Sequence, residues 1–543
     1  MTSQNREKEV FAMEGSPSSA AGLAGQMMEQ PLLLSSIVDR AGKMFADQEV
    51  VEYSPSGVTR VKVGEVVARA RRLASALDAL GIQPGDRIAT LAWNSSRHIE
   101  LFLGVPSMGA VLVPLNVRLH ANDLEYIVRD SAPRALFVDA SLVERLPEAA
   151  KAVDRIIIMD DGGARADAVA NALDYESLIL SGDPDHEFGT FPERSASTIC
   201  YTSGTTSKPK GVVYSHRSTV LHTLLESLPD YYNISEHDVI LPIAPLFHGN
   251  AWGLPYAALM AGARLVLPGS LRSPQEIVNM IAEQGVTFAG AIVSIWHDIS
   301  KLPNLPELPS LRMAVAGGAA VSTAMIRRFD ELGIPLVQGF GLTETNPLLS
   351  IGAVPARSSA RGDDLLAIRS SLGRPLPLVQ TAVDDEVGGE LLLRGPTIAS
   401  GYYNVADTER FTADGWMRTG DIVQISDDGV MKIVDRKKDL VKSGGEWIPS
   451  IELEGAIVAH PEVLEAAVVA VPDPRWSERP FAFVVPKDGC ALEATALREY
   501  LLTKVARWWV PERIEIIAEI PRTPGGKSDK RSMRTRAEAI VTP

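Results

Sequence analysis

Cysteine is nearly absent: the 543-residue chain holds two, Cys200 and Cys490. Two distant thiols exclude a disulfide framework, and neither has partners at metal-ligand spacing. A reducing cytosol is the natural setting, so a cytoplasmic location is expected. Long apolar runs are missing too. The most hydrophobic stretch, LFLGVPSMGAVLVPLNV (101–117), is interrupted by Pro106 and Pro114. It reads as helix, turn and buried strand, and an integral membrane segment is not expected. Positive charge is in the minority: 53 Lys and Arg against 68 Asp and Glu leave a net charge of −15. That balance argues against nucleic acid as a partner. A polyanionic small molecule would need local basic clusters. Residues 1–26, including GSPSSAAGLAG, lack the apolar segment of a secretory signal and are expected to be a disordered leader. Met27 and Met28 offer a second possible start.

What is present is an alternation of helix and strand patterns. GEVVARARRLASALDALGI carries helical apolar spacing and stops near Gly81. RIATLAW, AVLVPLN and ALFVD read as buried strands, separated by the helical SRHIELFLGV and ANDLEYIVRD. ARLVLP, VTFAGAIVS and LRMAVAGG continue the pattern. The fold class expected is α/β: a large multi-sheet domain of helix-covered sheets, residues 27–434. The last hundred residues differ. Strands AAVVAVPD and FAFVVPK precede a helix carrying Leu497, Leu501, Val505 and Trp508, and RIEIIAEI leads into a basic tail. A small α+β C-terminal domain, 435–543, is expected there.

The segment YTSGTTSKPKG (201–211) gathers Thr202, Ser203, Thr205, Thr206 and Ser207 around Gly204, with Lys208 and Lys210 close behind. Glycine lets backbone N–H groups turn inward, hydroxyls donate to phosphate oxygens, and lysines balance charge. It does not match the Walker A pattern.

This loop resembles that of the adenylate-forming superfamily of acyl-CoA synthetases, luciferases and adenylation domains. PLFHGNAW, AGGAA, QGFGLTETNP, RTGD, DRKKDLVKSGGEWIPSIELE and PRTPGGKSDK follow in that family's order. DRAG, FHGNAW and SGGEW look most like medium- and long-chain fatty acid–CoA ligases. The resemblance implies that a carboxylate attacks the α-phosphate of Mg·ATP, and that coenzyme A then displaces AMP from the acyl-adenylate. It also implies a mobile small domain hinged at Asp435, with ATP, Mg²⁺ and coenzyme A as cofactors. A homodimer is expected on the same ground.

Residue by residue, Glu344 resembles the magnesium ligand, with Thr202 the hydroxyl beside it; Mg²⁺ commonly takes one carboxylate plus substrate phosphates. Gly317, Gly318, Gln338 and Gly339 resemble backbone approaches to the nucleotide, and Thr343 lies near the α-phosphate. Phe340 stands where the family often has tyrosine; it can stack on adenine without a phenolic hydrogen bond. Asp421 resembles the acceptor for the ribose diol. Arg436, Lys438 and Lys442 match basic positions around the nucleotide. Lys527, in a Gly–Gly turn, resembles the lysine required for adenylation alone. His248 resembles a positioning group between the acyl and nucleotide pockets, Trp252 an aromatic gate, and Gly444, Gly445 and Trp447 the link to the pantetheine channel. AIVSIW (291–296) departs from the relatives' GVPTVW, with Ala291 in place of the glycine, Ile292 adding bulk beside it and Val293 in place of the proline, which leaves the acid open. A branched, aromatic or alicyclic acid, or an acceptor other than coenzyme A, stays as the alternative.

Overall fold

The structure is a computed structural model describing residues 26–541, except 162–168, 170, 203–207, 271, 385–388, 408, 445 and 524–527. Among the described residues, two parallel-rich sheets dominate. In the larger, the strands run in the order Arg374–Pro375, Leu348–Ile351, Leu336–Gly341, Met313–Gly317, Phe288–Ile292, Val239–Pro242, Arg264–Leu267, Glu49–Ser54, Gly57–Lys62. Its six inner strands are parallel, and antiparallel strands finish both edges. The second sheet has seven strands, parallel except where Ala196–Tyr201 meets Gly211–Ser215. Strands buried on both faces need no polar alternation, which is why ALFVD is buried at every position. The stretch 101–117 forms the end of the helix Ser96–Ser107 and the buried strand Val111–Pro114, as expected.

A four-stranded antiparallel sheet follows, Gln380–Asp384, Glu390–Arg394, Met417–Ile425 and Met431–Arg436. The smaller C-terminal part is built on a five-stranded sheet with the long hairpin Val463–Asp473 and Ser477–Pro486 at its centre. The expected helix through Val505 and Trp508 is shorter than the apolar spacing implies. It covers Ala494–Leu501, and Trp508 falls in a separate 3₁₀ turn, Arg507–Trp509. The Thr503 hydroxyl donates to the Tyr500 carbonyl at 2.7 Å, turning the chain before Val505. The stretch SSARGDDLLAIRSSLG (358–373) balances two Arg against two Asp. It contains the helix Gly362–Arg369, tied to the helix Thr323–Glu331 by Arg327–Asp363 and Arg369–Asp330 ion pairs. No helix of the described residues is long and apolar enough to cross a membrane.

Candidate active site

The parallel strands of the larger sheet end together, and a crevice forms outside their carboxyl ends, the usual ligand position in such sheets. Ile292 ends one strand, Gly317 the next, and Gly339 to Gly341 a third. All five line a cavity of about 650 Å³. Tyr402, Asp407, Glu409 and Arg410, with Asp421 and Arg436 of the four-stranded sheet, line the opposite side. Thirteen sequence-derived candidates meet there: Thr202, Lys210, His248, Trp252, Gly317, Gly318, Gly339, Phe340, Thr343, Glu344, Asp421, Arg436 and Lys438.

Glu344 is 6% exposed and lies in the one-turn segment Thr343–Thr345. Its carboxylate accepts from the Tyr402 hydroxyl at 2.5 Å and pairs with Arg410 at 3.3 Å. Burial, with Glu344 adjoining, holds the Tyr402 phenol above its ordinary range, so it stays a donor. Thr343 is held by its carbonyl, which accepts from the Tyr214 hydroxyl at 2.7 Å. Thr202 N donates to the Lys210 carbonyl at 2.9 Å, and Lys210 N donates to the Thr202 hydroxyl at 3.4 Å. The Lys210 ammonium pairs with Asp407 at 2.7 Å, 4.9 Å from the Tyr402 ring centroid. Asp421 and Arg436 face each other across paired strands, 3.3 Å apart, with Asp421 only 1% exposed. Burial lowers the Lys438 pKa. Five basic side chains line the cavity (Lys210, Arg410, Arg436, Lys437 and Lys438) against four acidic ones. In a chain of net charge −15, this is the local basic cluster a polyanion requires.

At the other end the lining is apolar: Trp252, Tyr232, Ile292 and Leu348. Trp252 is delivered by an unusual turn. Gly249, Asn250, Ala251, Trp252 and Gly253 all have left-handed φ, between 50° and 81°. Each non-glycine residue in that region costs about 1–2 kcal/mol, strain of a kind concentrated at functional sites. The indole lies against Gly290 and Gly317; a Cβ on either would sit 3.3 or 3.0 Å from the ring. Trp296 is fully buried, its Nε1 donating to the Val315 carbonyl at 2.9 Å, so AIVSIW is anchored and Ile292 adds bulk to the wall.

Other candidates lie elsewhere. Gln338 is buried and turned away, accepting from Val321 N at 2.8 Å. Lys442, Gly444 and Trp447 belong to a hairpin of the smaller part and do not line the cavity. Lys442 Nζ sits 5.5 Å from the ring centroid of Trp447, which is 48% exposed. Ser203, Gly204, Thr205, Thr206, Gly445 and Lys527 fall outside the described residues. Sequence reasoning missed Tyr402, Asp407 and Arg410. The only available signal was the dense aromatic and charged GYYNVADTERF following the GPTIAS segment.

The donor set suits a hard cation. Glu344 and Thr202 offer oxygen ligands on one cavity and would hold the cation together with substrate phosphates. Among the described residues there is no cluster of three or more His, Cys, Asp or Glu that would form an all-protein cage.

Comparison with known proteins agrees with this arrangement. The profile described as AMP-binding enzyme matches residues 38–403, and that of the AMP-binding enzyme C-terminal domain matches 452–527. A long-chain-fatty-acid–CoA ligase of Thermus thermophilus is 42% identical over 94% of this chain and 96% of its own. A 3-methylmercaptopropionyl-CoA ligase of Ruegeria lacuscaerulensis is 39% identical over 96% of this chain and 100% of its own. Among solved structures, the anthranilate CoA ligase AuaEII in complex with anthranoyl-AMP superposes with a TM-score of 0.83. It covers 95% of this chain and 99% of its own at 24% identity, a likeness of fold. With the cavity, its lining and both profiles in agreement, this chain belongs to the AMP-binding enzyme family.

Proposed function

We propose that the chain is an acyl-CoA ligase. It activates a medium- or long-chain fatty acid with ATP, giving acyl-adenylate and pyrophosphate, then transfers the acyl group to coenzyme A with release of AMP. One observation carries the reading: a single cavity joins a charged end, with Thr202, Glu344, Asp421 and Arg436, to an apolar end at Trp252, Tyr232 and Ile292. The first suits a nucleotide triphosphate and the second a hydrocarbon chain. The fatty-acid class is supported by the Thermus relative, 42% identical.

Each group then has a task. The fatty acid is ionised at neutral pH and attacks without a base, so His248 positions the reacting oxygens. Glu344 and Thr202 hold Mg²⁺, which offsets phosphate charge when bound. Tyr402 and Arg410 orient Glu344. Asp421 accepts from the ribose hydroxyls, Arg436 and Lys438 flank the phosphates, and Phe340 stacks on adenine. Lys210, with the neighbouring Ser203, Gly204, Thr205 and Thr206, grips the pyrophosphate portion. Lys527 approaches the developing charge on the α-phosphate during adenylation.

Residues 27–434 form the adenylation domain and 435–543 the small domain, with Asp435 as hinge. In the present arrangement Gly444 and Trp447 are away from the cavity. Rotation about Asp435 brings their hairpin in for thioester formation, when coenzyme A enters. The cytoplasm, which holds both ATP and coenzyme A, is the proposed location.

The test is a panel of acids with ATP, Mg²⁺ and coenzyme A, scored separately for AMP and thioester. Both products with straight-chain acids are expected. AMP without thioester would replace coenzyme A with another acceptor, and no product across the panel would overturn the ligase reading.

A further inference from the structure

Behind the apolar end of the cavity lies a charged residue type that neither step of the proposed reaction uses. Glu226, the last residue of the helix His216–Glu226, is 0% exposed. Neither of its carboxyl oxygens has a hydrogen-bond partner among the described residues. An ionisable neighbour, His222, lies one turn back, its Nδ1 at 3.5 Å. His222 Nε2 accepts from Leu348 N at 2.9 Å, which places its remaining proton on Nδ1, the side of Glu226.

Two observations put this residue beside the cavity lining. A Cβ on Gly253 would lie 2.3 Å from Glu226 Oε1, and Gly253 directly follows Trp252, a lining residue. Tyr232, also lining, donates its backbone N–H to the Glu226 carbonyl at 2.9 Å. The acid therefore adjoins the strained turn 249–253 and Tyr232, and Gly249, Trp252 and Tyr232 line the acyl space. Burial holds the Glu226 carboxyl well above its ordinary range, so it is a neutral acid with one donor and spare acceptor capacity. A buried pair of polar groups with unspent hydrogen bonds favours a ligand that supplies the missing partner. An unsubstituted alkyl tail cannot.

We infer that Glu226, backed by His222, is a specificity-determining residue of the acyl cavity, selecting fatty acids that carry a hydroxyl group toward the end of the chain. The hydroxyl donates to the carboxyl carbonyl oxygen and accepts a hydrogen bond from the carboxyl O–H, reached when the turn 249–253 shifts. This inference rests on the ligase reading and narrows its acid. The competing role for Glu226 is structural, an acid packed near the start of the helix Leu254–Ala261. That role would affect all acids alike.

The experiment measures acid-dependent ATP–pyrophosphate exchange with paired series of ω-hydroxy and plain straight-chain acids of matched length. The native enzyme and the Glu226→Gln and Glu226→Leu variants are compared. The expected result is a kcat/KM ratio favouring the hydroxy acid by about tenfold at one chain length in the native enzyme. Glu226→Gln should keep most of it and Glu226→Leu should lose it, mainly through KM. Equal losses for both acids, leaving the ratio unchanged in Glu226→Leu, would overturn the assignment. Should that variant fail to fold, a native ratio at or below one across the series overturns it equally. Exchange with no acid of either series would instead overturn the ligase reading.

Discussion

Glu344 reaches the cavity already engaged. Its Tyr402 bond at 2.5 Å and Arg410 contact at 3.3 Å fix the carboxylate before any phosphate enters. A hydrogen bond to a charged group contributes about 1.5–3 kcal/mol. Tyr402→Phe is therefore expected to raise the Mg²⁺ concentration for half-maximal pyrophosphate exchange by about tenfold or more. A Mg²⁺ titration of that exchange checks it. Glu344→Gln should lower exchange further at every Mg²⁺ level. Glu344 was legible from TETN, whereas Tyr402 and Arg410 were not. They lie 58 and 66 positions downstream in a segment without periodicity, and only folding brings them together. Asp139 gives a prediction of another kind. It is 1% exposed and accepts from Trp93 N at 2.7 Å, and burial pushes its pKa up from 3.8 to about 8. The folded chain keeps that proton across a range in which the unfolded chain has lost it. Stability therefore falls as pH rises from about 4 to about 8. Asp139→Asn removes this dependence, so its Tm should gain on the native value steadily from about pH 5 to pH 8. Parallel thermal melts would show the gain; a constant difference would refute it.

Among the elements, the helix Lys530–Val541 is tied to the helix Ser450–Val458 at its first residue. Lys530 pairs with Glu454 at 2.6 Å and donates to Ser450 Oγ at 2.7 Å. Ser450 Oγ in turn donates to Asp435 at 3.1 Å, and Ser450 N donates to the same carboxylate. Burial works against the Lys530 ammonium, but Glu454, Asp439 and Asp435 outweigh it and hold its pKa above the ordinary lysine value. The paired side chains are 16% and 19% exposed. Lys530→Met is expected to destabilise by about 2–3 kcal/mol, between surface and fully buried pairs. Lys530→Met with Glu454→Met should recover part of that in urea unfolding. This clamp was invisible in the sequence because Lys530 read as one more charge in a basic tail. The core strands were legible because burial on both faces leaves a continuous apolar run, as in ALFVD. The Ala494–Leu501 helix was legible only in part. Apolar spacing continues past its end, but a turn rather than a helix carries Val505 and Trp509 to the core.

At the scale of the whole molecule, the proposed division of labour separates two half-reactions that one substitution can distinguish. Lys527→Ala should abolish acid-dependent pyrophosphate release while leaving thioester formation from supplied acyl-adenylate largely intact. Rapid-quench measurements of each step check this, and equal loss of both would count against an adenylation-only role. The net charge of −15 also has meaning at this scale, since a nucleotide repelled by the chain as a whole meets five basic side chains in the crevice. The left-handed turn from Gly249 to Gly253 bears on how such a molecule can change its diet. Position 252 is held at φ 62° by the backbone on either side of it. A β-branched residue there meets a backbone penalty that side-chain size does not reveal, whereas glycine or asparagine fits without it. Laboratory evolution toward bulkier acids should thus enlarge the apolar wall through Gly or Asn at 252, leaving Val and Ile among the rarely sampled steps.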